Sequence, residues 1–212
     1  MIKQLCLLVI AASAIIGLHG AVRAFSGHEV VSNQIPGMRF YSVKAISPAA
    51  EGRMDLLAAG QILKDQRNDG LIIAFSIING EYRERAREIF CIGPERPDNK
   101  TRIRSLVTIK TPSPNQYRVV VNGKAGLENR EVGFIRSYVF DGAFHLQDSI
   151  EFSDPGTSYT HGYPLIAADI DNDGKKEIIY GGFAGDNDRD HADIRIFSMD
   201  EQGRLSRKKG FQ

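Results

Sequence analysis

The chain has 212 residues, with 27 basic against 26 acidic side chains and 42% hydrophobic residues. This composition belongs to a folded domain and not to a disordered segment, and its charge balance excludes a nucleic-acid binder built on a basic excess. Two cysteines exclude a disulfide-stapled miniprotein, and 21 glycines favour turns and strands over long helices.

The first segment reads as a targeting signal. Lys3 precedes an apolar run from Leu5 to Leu18, too short to cross a bilayer. Val22-Arg23-Ala24 then offers a small-residue site for cleavage before Phe25. Residues 1–24 are therefore expected to be a signal peptide, and 25–37 an N-terminal extension able to add an edge strand. Cleavage leaves 25 basic against 26 acidic residues and no membrane span. It also removes Cys6, so that Cys91 stays behind as a small apolar core residue. The expected location is secreted or periplasmic.

From residue 38 onward the chain repeats. The stretch Asp169–Gly182 aligns with Ser47–Gly60 at a shift of twice 61 residues, which predicts a third copy between them. Hairpin signals at Asn79-Gly80, Asp141-Gly142 and Asp200 to Gly203 follow at the same period. Each is preceded by a strand-like run and followed by a segment that reaches Phe90, Phe152 or Phe211. Every copy divides into four short runs rich in Val, Ile, Phe and Tyr, the residues of a buried pleat. EYRERAREIF has the propensity of a short helix, but its place after Asn-Gly predicts a strand. The expected fold is all-β: a partial or small propeller-like array of three four-stranded blades, about residues 38–92, 102–153 and 163–212.

The most polar loop carries the chemistry. Asp169, Asp171 and Asp173 alternate, Gly174 relieves the backbone where the chain reverses, and Glu177 closes the loop. Alternate positions of a tight turn converge their oxygens, with the Lys175 carbonyl able to join them. Such hard ligands suit calcium far better than zinc or copper. Position twelve of an EF-hand would be a Glu, yet here it is Tyr180, and the flanks read as strands. Four carboxylates in nine residues repel one another without a cation.

DxDxDGxxE between two strands, followed by a strand and a hairpin ending in an aromatic, resembles the FG-GAP/VCBS repeat of integrin-α-type propellers. The resemblance implies a Ca2+ ion in the first hairpin of the third blade, held by Asp169, Asp171, Asp173, the Lys175 carbonyl and Glu177. The family usually has Asp where Glu177 stands. The first copy has Ser47 and Ala49 in place of two carboxylates, and the second, TIKTPSPNQ, has no acid.

Other candidates are weaker. Asp186, Asp188, Asp190 and Asp193, with His191 among them, read as an exposed strand connection before a second cation site. His145 and His161 read as surface or packing residues, and Arg204, Arg207, Lys208 and Lys209 as a charged sheet edge. Asn99-Lys100-Thr101 fits a glycosylation sequon. No phosphate loop, nucleophile elbow or zinc spacing occurs. The leading functional expectation is a noncatalytic, calcium-stabilised module that binds a protein or glycan, with a second copy able to complete the ring. The alternative is an extracytoplasmic carbohydrate hydrolase or lyase using the acids of Asp186–Asp193.

Overall fold

The computed structural model of the protein describes residues 37–47, 54–78, 81–93, 98–127, 130–154, 156–186 and 189–208. The expected signal peptide, most of the N-terminal extension, Asn79-Gly80, Asp188, Lys209 and Phe211 lie outside them. Twelve strands follow one another: β1 (Met38–Ile46), β2 (Met54–Lys64), β3 (Arg67–Ile78), β4 (Glu81–Phe90), β5 (Lys100–Lys110), β6 (Tyr117–Leu127), β7 (Arg130–Phe140), β8 (Phe144–Phe152), β9 (Tyr159–Ala168), β10 (Glu177–Asp186), β11 (Arg189–Met199) and β12 (Leu205–Arg207). Among the described residues there is no helix, and EYRERAREIF is strand β4, as its place after Asn-Gly predicts.

The strands form three antiparallel meanders of four, β1–β4, β5–β8 and β9–β12. A single parallel bridge links each meander to the next, Asn68 to Lys100 and Glu131 to Tyr159. The first strands lie against one another, β1 on β5 and β5 on β9, whereas the fourth strands barely meet. The meanders thus stand as blades whose inner edges converge, an all-β, propeller-like array.

Alternation along the strands decides what each face covers. In β6, Val119 and Val121 join Leu57, Ile72 and Phe90 in a core between blades one and two. Val120, between them, points the other way, into a core with Leu165, Ile178, Tyr180 and Phe197 of blade three. All three valines are fully buried, so the VVV run is a strand covered on both faces, each side chain contributing about 1.5–3 kcal/mol. Leu71 and Ile73, by contrast, form a third cluster with Ala58 on the far face of blade one.

Two packing rules recur from blade to blade. Gly70 and Gly133, on the third strands, receive the ring of the fourth-strand aromatic, Phe90 or Phe152. A Cβ there would come within 2.9 and 2.5 Å of those rings. On the second strands, Gly60, Gly123 and Gly182 lie against the carbonyl oxygens of Arg39, Arg102 and His161. A Cβ at those three would sit only 1.9, 1.9 and 2.1 Å from the oxygen.

Candidate functional site

Residues 169–176 connect β9 to β10, which opens with Glu177. Asn172 and Gly174 take positive φ, 63° and 83°, and the loop amides fold back onto its first carboxylate. Asp169 Oδ1 accepts from Asp173 N at 3.2 Å and Oδ2 from Gly174 N at 3.0 Å. One carboxylate oxygen each of Asp169, Asp171 and Glu177 then lie within 4.8 Å of one another, a group able to hold a metal ion. Asp173 stays outside this group, its Oδ1 accepting from Lys175 N at 2.8 Å. Three of the expected ligands are therefore brought together.

A distant residue approaches the same point. Lys208 Nζ, just beyond β12, donates to Asp171 Oδ2 at 2.5 Å and to Glu177 Oε1 at 3.2 Å. Hydrogen bonding to Lys208 holds the Asp171 carboxyl below the usual carboxylate range. The ammonium thus places a positive charge against two of the three carboxylates, Asp171 and Glu177. Nothing local announces Lys208, which lies 31 residues from Glu177.

A second convergence lies on the inner strands. Each first strand carries a one-residue bulge against its partner. Tyr41 interrupts the register between Phe40 and Ser42, Arg104 does so between Ile103 and Ser105, and Tyr163-Pro164 oppose Gly181 alone. A bulge re-aims a side chain out of the pleat, and here it does so at the same place in all three blades. The Arg104 guanidinium stands 4.7 Å from the ring centroid of Tyr41 and 5.5 Å from that of Tyr163. One residue from each blade thus builds a Tyr–Arg–Tyr row. A sequence signal existed: the bulged residue stands 19 places before Gly60, Gly123 or Gly182 in each case.

Beside this row, blades two and three share a buried ionic cluster. Glu131 Oε2 accepts from Lys124 Nζ at 2.6 Å and from His161 Nε2 at 2.5 Å, and the two donors are 3.1 Å apart. Two donors hold the Glu131 carboxyl down at about 2, against the opposing effect of burial. Lys124 is pushed down chiefly by burial, against the opposing effect of Glu131, with the charges of Arg102 and Arg104 adding to the lowering. His161 packs on Tyr159 and Phe183, with ring centroids at 5.0 and 4.9 Å. At the same register between blades one and two, the pair is neutral, Gln61 Nε2 donating to Asn68 Oδ1 at 2.8 Å.

The acids of Asp186–Asp193 do not form a facing pair among the described residues. Asp193 is buried and accepts twice from Arg195 Nε at 2.9 Å, while Tyr159 OH donates to Asp190 and to the Asp186 carbonyl. His191 reaches out to Asp154 at 3.1 Å. His145 pairs with Asp141 on the surface, and Arg204 with Asp200. The sequon asparagine, Asn99, is fully buried and donates to the Ile92 carbonyl at 2.8 Å, so in the folded protein it is a structural residue out of reach of glycosylation. Cys91 beside it is half-buried, not part of the core as the sequence suggests, and its Sγ accepts from Asn99 at 3.1 Å.

No family model matches the chain, and no curated protein matches it. Among solved structures, the GH32 β-fructofuranosidase BmSUC1 of Bombyx mori is similar at a TM-score of 0.54 and 14% identity. The alignment covers 84% of this chain and 38% of the enzyme, so the chain spans well under half of its neighbour's length. The neighbour is a β-propeller enzyme, and at this identity the likeness is one of fold, in keeping with an all-β, propeller-like protein. Among the described residues, no helix is long and apolar enough to cross a membrane.

Proposed function

We propose that the protein is a noncatalytic binding or scaffold module of the secreted or periplasmic space, built from FG-GAP/VCBS-like blades and stabilised by calcium. The observation that supports this reading is the chemistry of the converging inner strands. Glycoside hydrolysis needs two carboxyl groups about 5–10 Å apart, one of them able to carry a proton near neutrality. The inner strands instead bring together Tyr41, Arg104 and Tyr163. The nearby carboxylate, Glu131, is held ionised by two donors, which suits a structural ion pair better than an acid–base role. A second reading, a carbohydrate hydrolase, draws support from the likeness to a β-fructofuranosidase. Release of reducing ends from a panel of oligosaccharides separates the two, and none is expected.

Asp169, Asp171 and Glu177 would hold the calcium ion. Its hard-oxygen donors fit, as does the point at which Lys208 now places its charge. At tenfold its dissociation constant, calcium would stabilise the fold by about 1.4 kcal/mol, or about 3–6 °C in melting temperature for a chain of this size. Asp171→Ala is expected to melt lower than the wild type in calcium and almost level with it in chelator. Superposed melting curves for the two proteins in both buffers would remove the ion from this account. Ile194, two-thirds exposed on the open face of blade three, is where a second copy would extend the array, which sedimentation velocity would detect.

A further inference from the structure

We infer that the converging inner strands form a binding site for a carboxylated saccharide chain, with Arg104 as the carboxylate anchor. The inference rests on the binding-module reading and adds a place and a ligand class to it.

Two guanidiniums gather here without carboxylate partners. The ion pairs of the described arginines and lysines engage other residues, and neither Arg102 nor Arg104 takes part in one. The Nε of each is buried and makes no hydrogen bond, an uncommon state for a charged donor. Both lie close enough to Lys124 for their charges to act on it in the same direction as its burial, and Lys124 spends its own hydrogen bond on Glu131. The local balance is therefore positive in a chain that is nearly neutral overall. Both side chains are only part-buried, which leaves guanidinium edges beyond the buried Nε open to an oxyanion, and the planar fork matches a carboxylate through two parallel bonds.

The shape points to a saccharide. Tyr41 and Tyr163, 39% and 41% exposed, flank Arg104. Arg104 covers one side of each ring, and Phe183 stacks on Tyr163 at 5.5 Å, so Tyr41 offers its other face to the C–H side of a sugar ring and Tyr163 its exposed edge and hydroxyl. Three or four residues further along the same strands, about 10–13 Å, a groove of about 350 Å³ opens between β1, β5 and β9. Lys44 and Lys176 line it, and neither is ion-paired among the described residues. An anchor cation, two rings and a lysine-lined groove a few sugar units further on describe a track for a polyanionic glycan.

The test is calorimetric titration of the full chain with tetragalacturonate, its methyl ester, sodium sulfate and the acidic peptide tetraglutamate, at low and moderate salt. Wild type is expected to bind the acid, to lose affinity with salt, and to bind the ester at least about tenfold more weakly. Arg104→Met should lose about tenfold or more in affinity, Arg104→Lys less, and Tyr163→Ala a smaller factor at unchanged salt dependence. Melting curves matching the wild type would show that these variants fold. Equal affinity for acid and ester, sulfate binding as tightly as the oligomer, an acidic peptide doing so, or no effect of any of the three variants would each overturn the site. Absence of binding together with absence of turnover would remove the site and leave the scaffold reading standing. Cleavage of the oligomer would do the reverse, overturning the noncatalytic reading while retaining the place of binding.

Discussion

Gly123→Ala is expected to abolish stable folding, or to cost about 4 kcal/mol or more in urea denaturation. The added Cβ would fall 1.9 Å from the Arg102 carbonyl oxygen and 2.9 Å from its carbon. Both are backbone atoms, held by the β5–β6 ladder on either side of the Arg104 bulge, so neither can swing away as a side-chain tip would. Separating the strands would break paired backbone groups in a core where Val119, Val120 and Val121 are fully buried. Losses of this size come from a short set of mechanisms, of which forced overpacking is one. Gly174→Ala supplies the scale. No atom lies within 4 Å of its Cβ, and its φ of +83° leaves only a backbone penalty, of about 1–2 kcal/mol. A Gly123→Ala midpoint shifted no further than that of Gly174→Ala would show that the strands can slide, and that the bulge is not a fixed feature of the blade.

Removing the Glu131 carboxylate should be nearly as damaging. Glu131→Ala leaves the Lys124 ammonium buried without its partner, a loss of about 3–5 kcal/mol. The pH dependence gives an independent reading. A carboxyl held at about 2 instead of its ordinary 4.5 contributes stability that is fully present above pH 4.5. That contribution is lost as the pH falls from about 4.5 towards about 2, and it corresponds to about 3 kcal/mol. Asp154, Asp171 and Asp200 are also held low by their donors, so the measurement is the difference between wild type and Glu131→Gln across pH 7 to 3. That difference should shrink as the acid is approached, and a constant gap would show that Glu131 is not the group responsible. Lys124→Gln with Glu131→Asn installs the neutral pair found at the same register as Gln61 and Asn68. The double variant should recover much of the loss, because no charge is left buried.

The strands were legible in sequence because each packing duty leaves a compositional trace. The turns between strands follow from residues that must take positive φ, as at Gly142 and Gly203, and two fourth strands end on the aromatics Phe90 and Phe152. One hairpin escaped. Asp65 and Gln66 both take positive φ, a conformation that their residue types do not advertise. The acidic loop was legible since alternating carboxylates around a glycine are rare by accident. Yet of its four expected carboxylates only those of Asp169, Asp171 and Glu177 are drawn together, because Asp173 spends an oxygen on the Lys175 amide inside the turn.

What the amino-acid sequence determined by itself is everything with a short period: strand alternation, the sixty-residue recurrence, the turn glycines and the acidic loop. These depend on neighbours a few bonds away or on a pattern repeated along one chain. Only the tertiary structure decided the contacts that join blades. Arg104 meets Tyr41 and Tyr163, Lys124 and Glu131 meet His161, and Lys208 meets Asp171 across separations of 30 to 63 residues. Such pairings leave no local trace, since a charged or aromatic residue on a strand reads the same whether water or another blade stands opposite. It is the convergence of the inner strands, set by how the blades pack, that turns three separate bulges into one surface.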